Sequence, residues 1–143
     1  MKNKSTTEHR FEKVEIINGT RFINDSKSTN FHSVSSASER VKNALLIMHG
    51  ITKNIPTIEL QLSNEIKKII IPKDMNLDHN LFNCEVEVIK SIFELEDILK
   101  KDFQRFETVL FSCGGSSFND FENYIERGKF FKSIVENLKG GQN

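Results

Sequence analysis

Tryptophan is absent from this chain, and cysteine and proline are scarce, with two residues of each among 143. Cys84 and Cys113 do not have the spacing of metal ligands, so we expect two reduced thiols. No apolar run approaches the ~18 residues that a transmembrane helix needs, and the longest, 44–48, has the length of a strand. The polar N-terminus has no apolar segment of the kind found in signal peptides. We therefore expect a cytoplasmic protein with no membrane partner.

Neither sign of charge is in excess, because 20 basic residues balance 20 acidic ones. This balance argues against a nucleic-acid partner bound through overall basic charge. The sequence has no Walker phosphate loop and no nucleophile elbow, and Gly114-Gly115 lacks the third glycine of a dinucleotide fingerprint. The histidines also lack metal-ligand spacing: His9, His32, His49 and His79. We predict no metal site and no catalytic residue within this chain alone.

Asn18-Gly19 is the clearest structural signal that is present. It separates two short runs, 14–17 and 21–23, that read as strands. Both turn positions of a two-residue hairpin need positive φ, which asparagine and glycine tolerate best. The sequence therefore predicts an N-terminal β-hairpin.

The rest of the chain alternates between apolar runs and longer amphipathic segments. The predicted strands are 44–48, 69–71 (ended by Pro72), 85–89 and 108–111. The predicted helices are 30–41, 58–68, 91–101 and 117–138, with a short helix within 74–82. This alternation predicts the α/β class, with a Rossmann-like, mostly parallel sheet that carries helices on both faces. We expect one domain at 9–138, a flexible N-terminus at 1–8 and a flexible tail at 139–143.

Right-handed crossovers place the strand-to-helix loops of a parallel sheet at one edge, where ligands bind in α/β proteins. Three polar loops, around Lys27, 49–53 and 112–117, are therefore expected to converge. Their candidate anion ligands are Lys27, Thr29, Lys53, Ser116 and Ser117, of which Ser117 is the expected N-cap of the last helix. The alternative is that the lysines are solvated and the hydroxyls only cap helices. Arg10 and Asp25 flank the hairpin, and the alternative for them is a solvated strand end and a turn-forming acid.

Three segments resemble the C-terminal domain of the Mur ligases, most closely that of the members that add D-glutamate. Segment 9–12 reads His-Arg-Phe-Glu, 23–30 reads Ile-Asn-Asp-Ser-Lys-Ser-Thr-Asn, and 117–128 contains Phe-x-x-Tyr-x-x-Arg-Gly. Their order and separations agree with that family over about residues 9–138. The loop 49–53 departs from it, because it reads His-Gly-Ile-Thr-Lys where paired glycines are usual.

The resemblance implies a role in an ATP-dependent ligase of peptidoglycan precursor synthesis. In that reaction ATP phosphorylates the carboxylate of UDP-N-acetylmuramoyl-L-alanine, and the amine of D-glutamate attacks the acyl phosphate. The match implies D-glutamate contacts at Lys27, Thr29, Lys53, Ser117 and Tyr124. It implies ATP contacts at Arg10 and Asp25, with ATP and Mg²⁺ held mainly by a central domain that this chain lacks.

The resemblance also implies that two of the family's three domains are missing here. We therefore expect the 143-residue chain to have no ligase or ATPase activity by itself. Two other functions stay open at this stage. One is the corresponding domain of a folylpolyglutamate-type ligase, and the other is a stand-alone α/β module that binds a small anion or regulates another protein.

Overall fold

A six-stranded sheet forms the centre of the protein. A computed structural model of the chain describes residues 8–52 and 56–141. The strands are β1 Glu12–Ile17, β2 Thr20–Asp25, β3 Ala44–His49, β4 Ile66–Pro72, β5 Glu85–Ile89 and β6 Thr108–Gly114. Their order is β1-β2-β6-β3-β4-β5, and β1–β2 is the antiparallel pair while the other neighbours are parallel. The predicted α/β class and mostly parallel sheet are confirmed.

The N-terminal hairpin is also confirmed. Asn18 and Gly19 have φ of 49° and 87°, and Ile17 pairs with Thr20 across the turn. These backbone angles are the ones that made Asn-Gly informative in the sequence.

Helices cover both faces of the sheet, as the alternation predicted. Within residues 8–52 and 56–141 the α-helices are α1 Phe31–Ser38, α2 Leu95–Asp102 and α3 Tyr124–Gly140. Side chains of α2 and α3 pack on one face, with a core that includes Phe22, Leu45, Val109, Phe131 and Leu99. On the opposite face α1 packs against a second core that includes Ile23, Leu46, Leu110, Phe31 and Val34. Among the described residues, no helix is long and apolar enough to cross a membrane.

The helix predicted at 58–68 is wrong. A single 3₁₀ turn, Thr57–Glu59, stands there, and β4 begins at Ile66. The four-residue spacing of Ile58, Leu62 and Ile66 was misleading because Ile58 is 78% exposed and Ile66 lies in the sheet. The β-branched run 69–71 favours a strand. Parallel pairing with β3, which joins Ala44 to Ile66 and Leu45 to Lys68, extends this strand back from the predicted start at 69.

The start of the last helix is also corrected. The prediction placed it at Ser117, but α3 begins at Tyr124 and its N-cap is Asn123, whose side chain accepts from the Glu126 amide at 2.9 Å. The carbonyl of Ser117 instead accepts from the amides of Asp120 and Phe121 in a turn. The short helix expected within 74–82 is two 3₁₀ turns, Lys73–Met75 and His79–Leu81.

Candidate functional site

The three polar loops do converge at the carboxyl ends of the parallel strands. The Gly114 amide donates to the Ser28 carbonyl at 2.9 Å, which joins the loops after β6 and β2. Ile51 and Ser116 exchange two backbone hydrogen bonds, which join the loops after β3 and β6. The approach is so close that a Cβ on Gly50 would collide with the Ser116 carbonyl. The predicted site is therefore one continuous surface of three bonded loops.

Arg127, in the first turn of α3, is completely buried beneath these loops. Its Nε donates to the Ser26 hydroxyl at 3.0 Å and its Nη2 donates to the Ser26 carbonyl at 2.8 Å. Its Nη1 donates to the Gly115 carbonyl at 2.8 Å and to the His49 carbonyl at 3.2 Å. One guanidinium therefore contacts all three loops.

The imidazole of His49 is buried between Arg127 and Asp120. Its Nδ1 lies 3.2 Å from Arg127 Nη1, and its Nε2 lies 2.8 Å from a carboxylate oxygen of Asp120. Because the guanidinium can only donate, we assign the neutral tautomer that carries its proton on Nε2. Burial lowers the pKa of His49, and the charge of Arg127 adds to this, while the hydrogen bond to Asp120 opposes it.

Asp25 ends β2 and is held by two donors. The Phe11 amide donates to one carboxylate oxygen at 2.9 Å, and the Ser112 hydroxyl donates to the other at 2.7 Å. Burial raises the pKa of Asp25, and the two hydrogen bonds and the nearby Arg10 oppose that rise. The hydrogen bond from the Phe11 amide therefore links the N-terminal turn to the Asp25 carboxylate. Phe11 has a left-handed backbone conformation, with φ of 45°.

A cavity of about 290 Å³ opens beside Asp25, between the N-terminal turn and α1. Arg10, Lys27 and Arg40 line it, and Arg40 also lies over the Phe11 ring at 3.7 Å from the centroid. The hydroxyl of Ser28 lies on the same wall, is buried and has no hydrogen-bond partner among the described residues. Three cationic side chains and one free hydroxyl suit an anion.

The structure brings some of the predicted site residues into direct contact. Lys27 Nζ lies 5.4 Å from the centroid of the Tyr124 ring, and the Ser26 hydroxyl donates to the Tyr124 carbonyl at 2.7 Å. Ser117 is buried in the loop that pairs with Ile51. Thr29 is exposed beyond Ser28.

The structure describes two of the other predicted residues, Arg10 and Asp25, and does not describe Lys53. Arg10 and Asp25, the predicted ATP contacts, share the cavity with Lys27, which was assigned to D-glutamate. Lys53 lies outside the described residues. The ligand assigned to each residue stays a prediction.

Arg127 and Asp120 were given no role from the sequence, and His49 was only one histidine without metal spacing. A signal for Arg127 was nevertheless present. It precedes Phe131 by one helical turn, and Phe131, Ile134, Val135 and Leu138 form the buried stripe of α3. A charged residue on an apolar stripe needs buried partners, and here these partners are the loops of the site.

Neither the two cysteine thiols nor the described metal-ligating side chains indicate a reactive or metal-binding site. Burial raises the pKa of Cys113 to about 12, and burial also raises the pKa of Cys84. Both cysteines are free. Within the described ranges, no group of three histidine, cysteine or carboxylate side chains is arranged to hold a metal ion.

Comparison with known proteins finds similar chains in a set of ligases. No family model matches the chain. It is 39% identical over 94% of its length to UDP-N-acetylmuramoylalanine–D-glutamate ligase of Thermosipho africanus, of which it covers 33%. It is 33% identical over 92% of its length to the ligase of the same name from Prochlorococcus marinus, of which it covers 30%. The chain thus spans about a third of the length of these relatives.

A solved structure has a similar fold. Folylpolyglutamate synthase of Thermotoga maritima matches with a TM-score of 0.52 and 19% identity, over 89% of this chain and 30% of that one. At this identity the likeness concerns the fold alone.

Proposed function

We propose that the chain serves as the C-terminal domain of a Mur ligase that adds D-glutamate. It is similar, over 94% of its own length, to 33% of the length of UDP-N-acetylmuramoylalanine–D-glutamate ligase of Thermosipho africanus. In this role it binds D-glutamate at the loop edge and contacts ATP across a cleft to the other domains. The complete enzyme joins D-glutamate to UDP-N-acetylmuramoyl-L-alanine. The single observation that best supports this role is the contact between Lys27 and Tyr124, which come from two segments far apart in the sequence.

D-glutamate carries two carboxylates and an amine. The carboxylates need cationic and N–H or O–H donors, and Lys27, Thr29, Lys53 and Ser117 supply such groups in the proposal. The ring of Tyr124 beside Lys27 would limit the freedom of the lysine and cover the methylene chain of the amino acid. With both carboxylates held, the amine is oriented toward the acyl phosphate that it attacks. Attack forms the amide bond and releases phosphate.

ATP fits the cavity of Arg10 and Asp25 only in part. A volume of about 290 Å³ lies at the lower end for ligand pockets, so it suits a ribose or a phosphate rather than a whole nucleotide. The Asp25 carboxylate has acceptor capacity beyond its two bonds and could receive a ribose hydroxyl. Arg10 and Arg40 could face a phosphate. The remaining contacts would come from other domains.

Mg²⁺ has a weaker fit to this domain. It prefers oxygen ligands. Of the described residues that line the cavity, Asp25 alone carries a carboxylate, and both of its oxygens already accept hydrogen bonds. We therefore assign the ion that accompanies ATP to the other domains.

The proposal is tested by titrating the ¹⁵N-labelled chain with D-glutamate, L-glutamate and ATP. D-glutamate is expected to shift amides in 27–30, near Lys53 and in 117–124, and L-glutamate is expected to shift them less. ATP is expected to shift the amide resonances of Arg10 and Asp25. Binding of D-glutamate should be weak, because an open site screens each ionic contact.

A matched pair of lysine variants controls the titration. Lys27→Met should weaken D-glutamate binding about fivefold, a loss of about 1 kcal/mol. Lys42→Met removes an exposed lysine beyond α1 and should leave binding unchanged. Equal effects of the two variants, or D-glutamate shifts outside the loop edge, would contradict the assignment.

The other outcomes separate the remaining hypotheses. A preference for L-glutamate would favour a folylpolyglutamate-type ligase. Tight binding of inorganic phosphate at the cavity of Arg10, Lys27 and Arg40, without any response to glutamate, would favour a stand-alone anion-binding module.

A further inference from the structure

Burying a guanidinium costs free energy unless it is paired. Among the residues that the structure describes, Arg127 donates to no carboxylate. Its partners are carbonyls, a hydroxyl and an imidazole nitrogen, which belong to the last residue of β3 and to the first residues after β2 and β6. The hydrophobic core does not require a charge at this point. The hydrogen bonds of Arg127 are instead directed to the loop edge.

The partners of Arg127 are adjacent in sequence to residues of the proposed D-glutamate site. Ser26 precedes Lys27, and Gly115 lies two residues before Ser117. His49 ends β3, immediately before the segment that leads in sequence to Lys53. One side chain thus bonds the base of each loop that carries a proposed ligand contact.

A second link runs from Arg127 through His49 to Asp120. Asp120 belongs to the turn whose first residue is Ser117, and its amide donates to the Ser117 carbonyl at 3.2 Å. Its carboxylate accepts from His49 Nε2 at 2.8 Å, and the opposite ring nitrogen of His49 faces Arg127. The loop of Ser117 is therefore fixed at two points, Gly115 and Asp120.

We propose that Arg127 is a positioning residue, which sets the relative placement of the three loops and so the spacing of the D-glutamate contacts. The placement of the loops stands on the hydrogen bonds alone, whereas the consequence for D-glutamate rests on the proposed function. A lysine could not replace Arg127, because its single nitrogen cannot reach three loops that the planar guanidinium spans.

The first test needs no ligand. Amide hydrogen exchange is measured for the wild-type chain, Arg127→Lys and Lys129→Met. Lys129 is the matched control, an exposed cation on the same helix that pairs with Glu126 at 3.6 Å. In Arg127→Lys the amides that join the loops, Ile51, Gly114 and Ser116, should exchange at least tenfold faster. The amide of Leu110, in the middle of β6, should in each protein exchange only as fast as global unfolding allows.

The second test measures the ratio of D-glutamate to L-glutamate affinity by the same amide shifts. Arg127→Lys should lower this ratio at least threefold while the ATP-induced shift at Arg10 persists. Loss of stability alone would not change a preference between enantiomers in the folded fraction. Lys129→Met should retain the wild-type ratio.

Asp120→Ala keeps the proposal testable if Arg127→Lys does not fold, because it removes the carboxylate that accepts from His49 Nε2. Asp120 is partly exposed, with a quarter of its side-chain surface accessible, so this change spares the buried guanidinium. It should speed exchange at Ser116 more than at Gly114. Unchanged exchange at the loop amides in both variants would overturn the proposal. Absence of D-glutamate shifts in the wild type, with fast loop exchange in the variants, would instead overturn the proposed function and support the positioning role.

Discussion

Gly128, in α3, lies against the buried ring of His9 in the N-terminal turn. A Cβ at this position would collide with His9 Nδ1 and approach Asn24 Nδ2 to 3.1 Å. The ring cannot move aside freely, because its Nδ1 lies 2.9 Å from the Asn24 amide. Glycine is thus required here for space rather than for its backbone angles.

We predict that Gly128→Ala destabilises the protein by about 1–3 kcal/mol, the usual cost of overpacking a core. Gly140→Ala is the control, since it lies at the end of the same helix with open space around its Cβ position. It should leave stability unchanged or raise it by up to about 1 kcal/mol. Urea unfolding of both variants measures the difference, and similar values for the two would refute the steric explanation.

His49 makes stability depend on pH. Burial lowers its pKa in the folded state below the ordinary 6.5, so the unfolded chain binds the proton first as the pH falls. Its contribution to stability is complete above about pH 6.5 and is lost as the pH falls toward the folded-state pKa. The charged groups that face it are Asp120, Arg127 and Asp74.

We predict that His49→Gln reduces the loss of stability between pH 7.5 and 5.5, because glutamine can donate to Asp120 but does not titrate. Denaturant unfolding at several pH values measures this slope. Burial also lowers the pKa of His9. His9 is present in the wild type and in His49→Gln, so it does not account for a difference between their pH slopes. The exposed His79 provides His79→Gln as a control for the loss of an imidazole. Parallel pH slopes in wild type and His49→Gln would exclude this role.

The elements of this fold differ in how well the sequence predicts them. Strands β3 and β6 are buried at every residue, so their apolar runs were unambiguous. The pattern of segment 58–68 was ambiguous, because the four-residue spacing of its apolar residues did not reflect a helix. Pairing with β3 places Ile66 in a strand instead. At the site, the sequence could predict that a polar loop around Lys27 follows a strand and that the three polar loops converge. The network of Arg127 could not, because it joins residues that only the folded sheet brings together.

The N-cap of α3 gives a test at this scale. Asn123→Ala should cost about 1 kcal/mol, since its side chain accepts from the Glu126 amide. Ser117→Ala is the natural comparison, because the sequence pattern placed the cap there. It should cost less than half as much, since Ser117 lies outside the helix. Urea unfolding compares the two, and a larger loss in Ser117→Ala would contradict the cap at Asn123.

At the scale of the whole molecule, the chain has a cavity lined by cationic side chains, which we propose binds anions, and its sequence has no phosphate loop. We predict that the 143 residues alone show no phosphate release above background with ATP, D-glutamate and UDP-N-acetylmuramoyl-L-alanine. Lys27 and Arg10 can hold charged groups, but the proposed reaction also needs residues that hold the triphosphate. A phosphate-release assay measures this, with a full-length ligase such as the Thermosipho africanus relative as the positive control. Turnover by the chain alone would refute the domain assignment.

Strand β6 lies at the centre of the sheet, although it is the last strand in the sequence. It joins the β1–β2 hairpin to the β3–β4–β5 half, and neither half pairs with the other directly. During synthesis on a ribosome, β2 in one half and β3 in the other therefore each have an unpaired edge until residues 108–114 have been synthesised. Such edges invite pairing with other chains, so prematurely terminated or nascent chains should depend on chaperones until β6 is released.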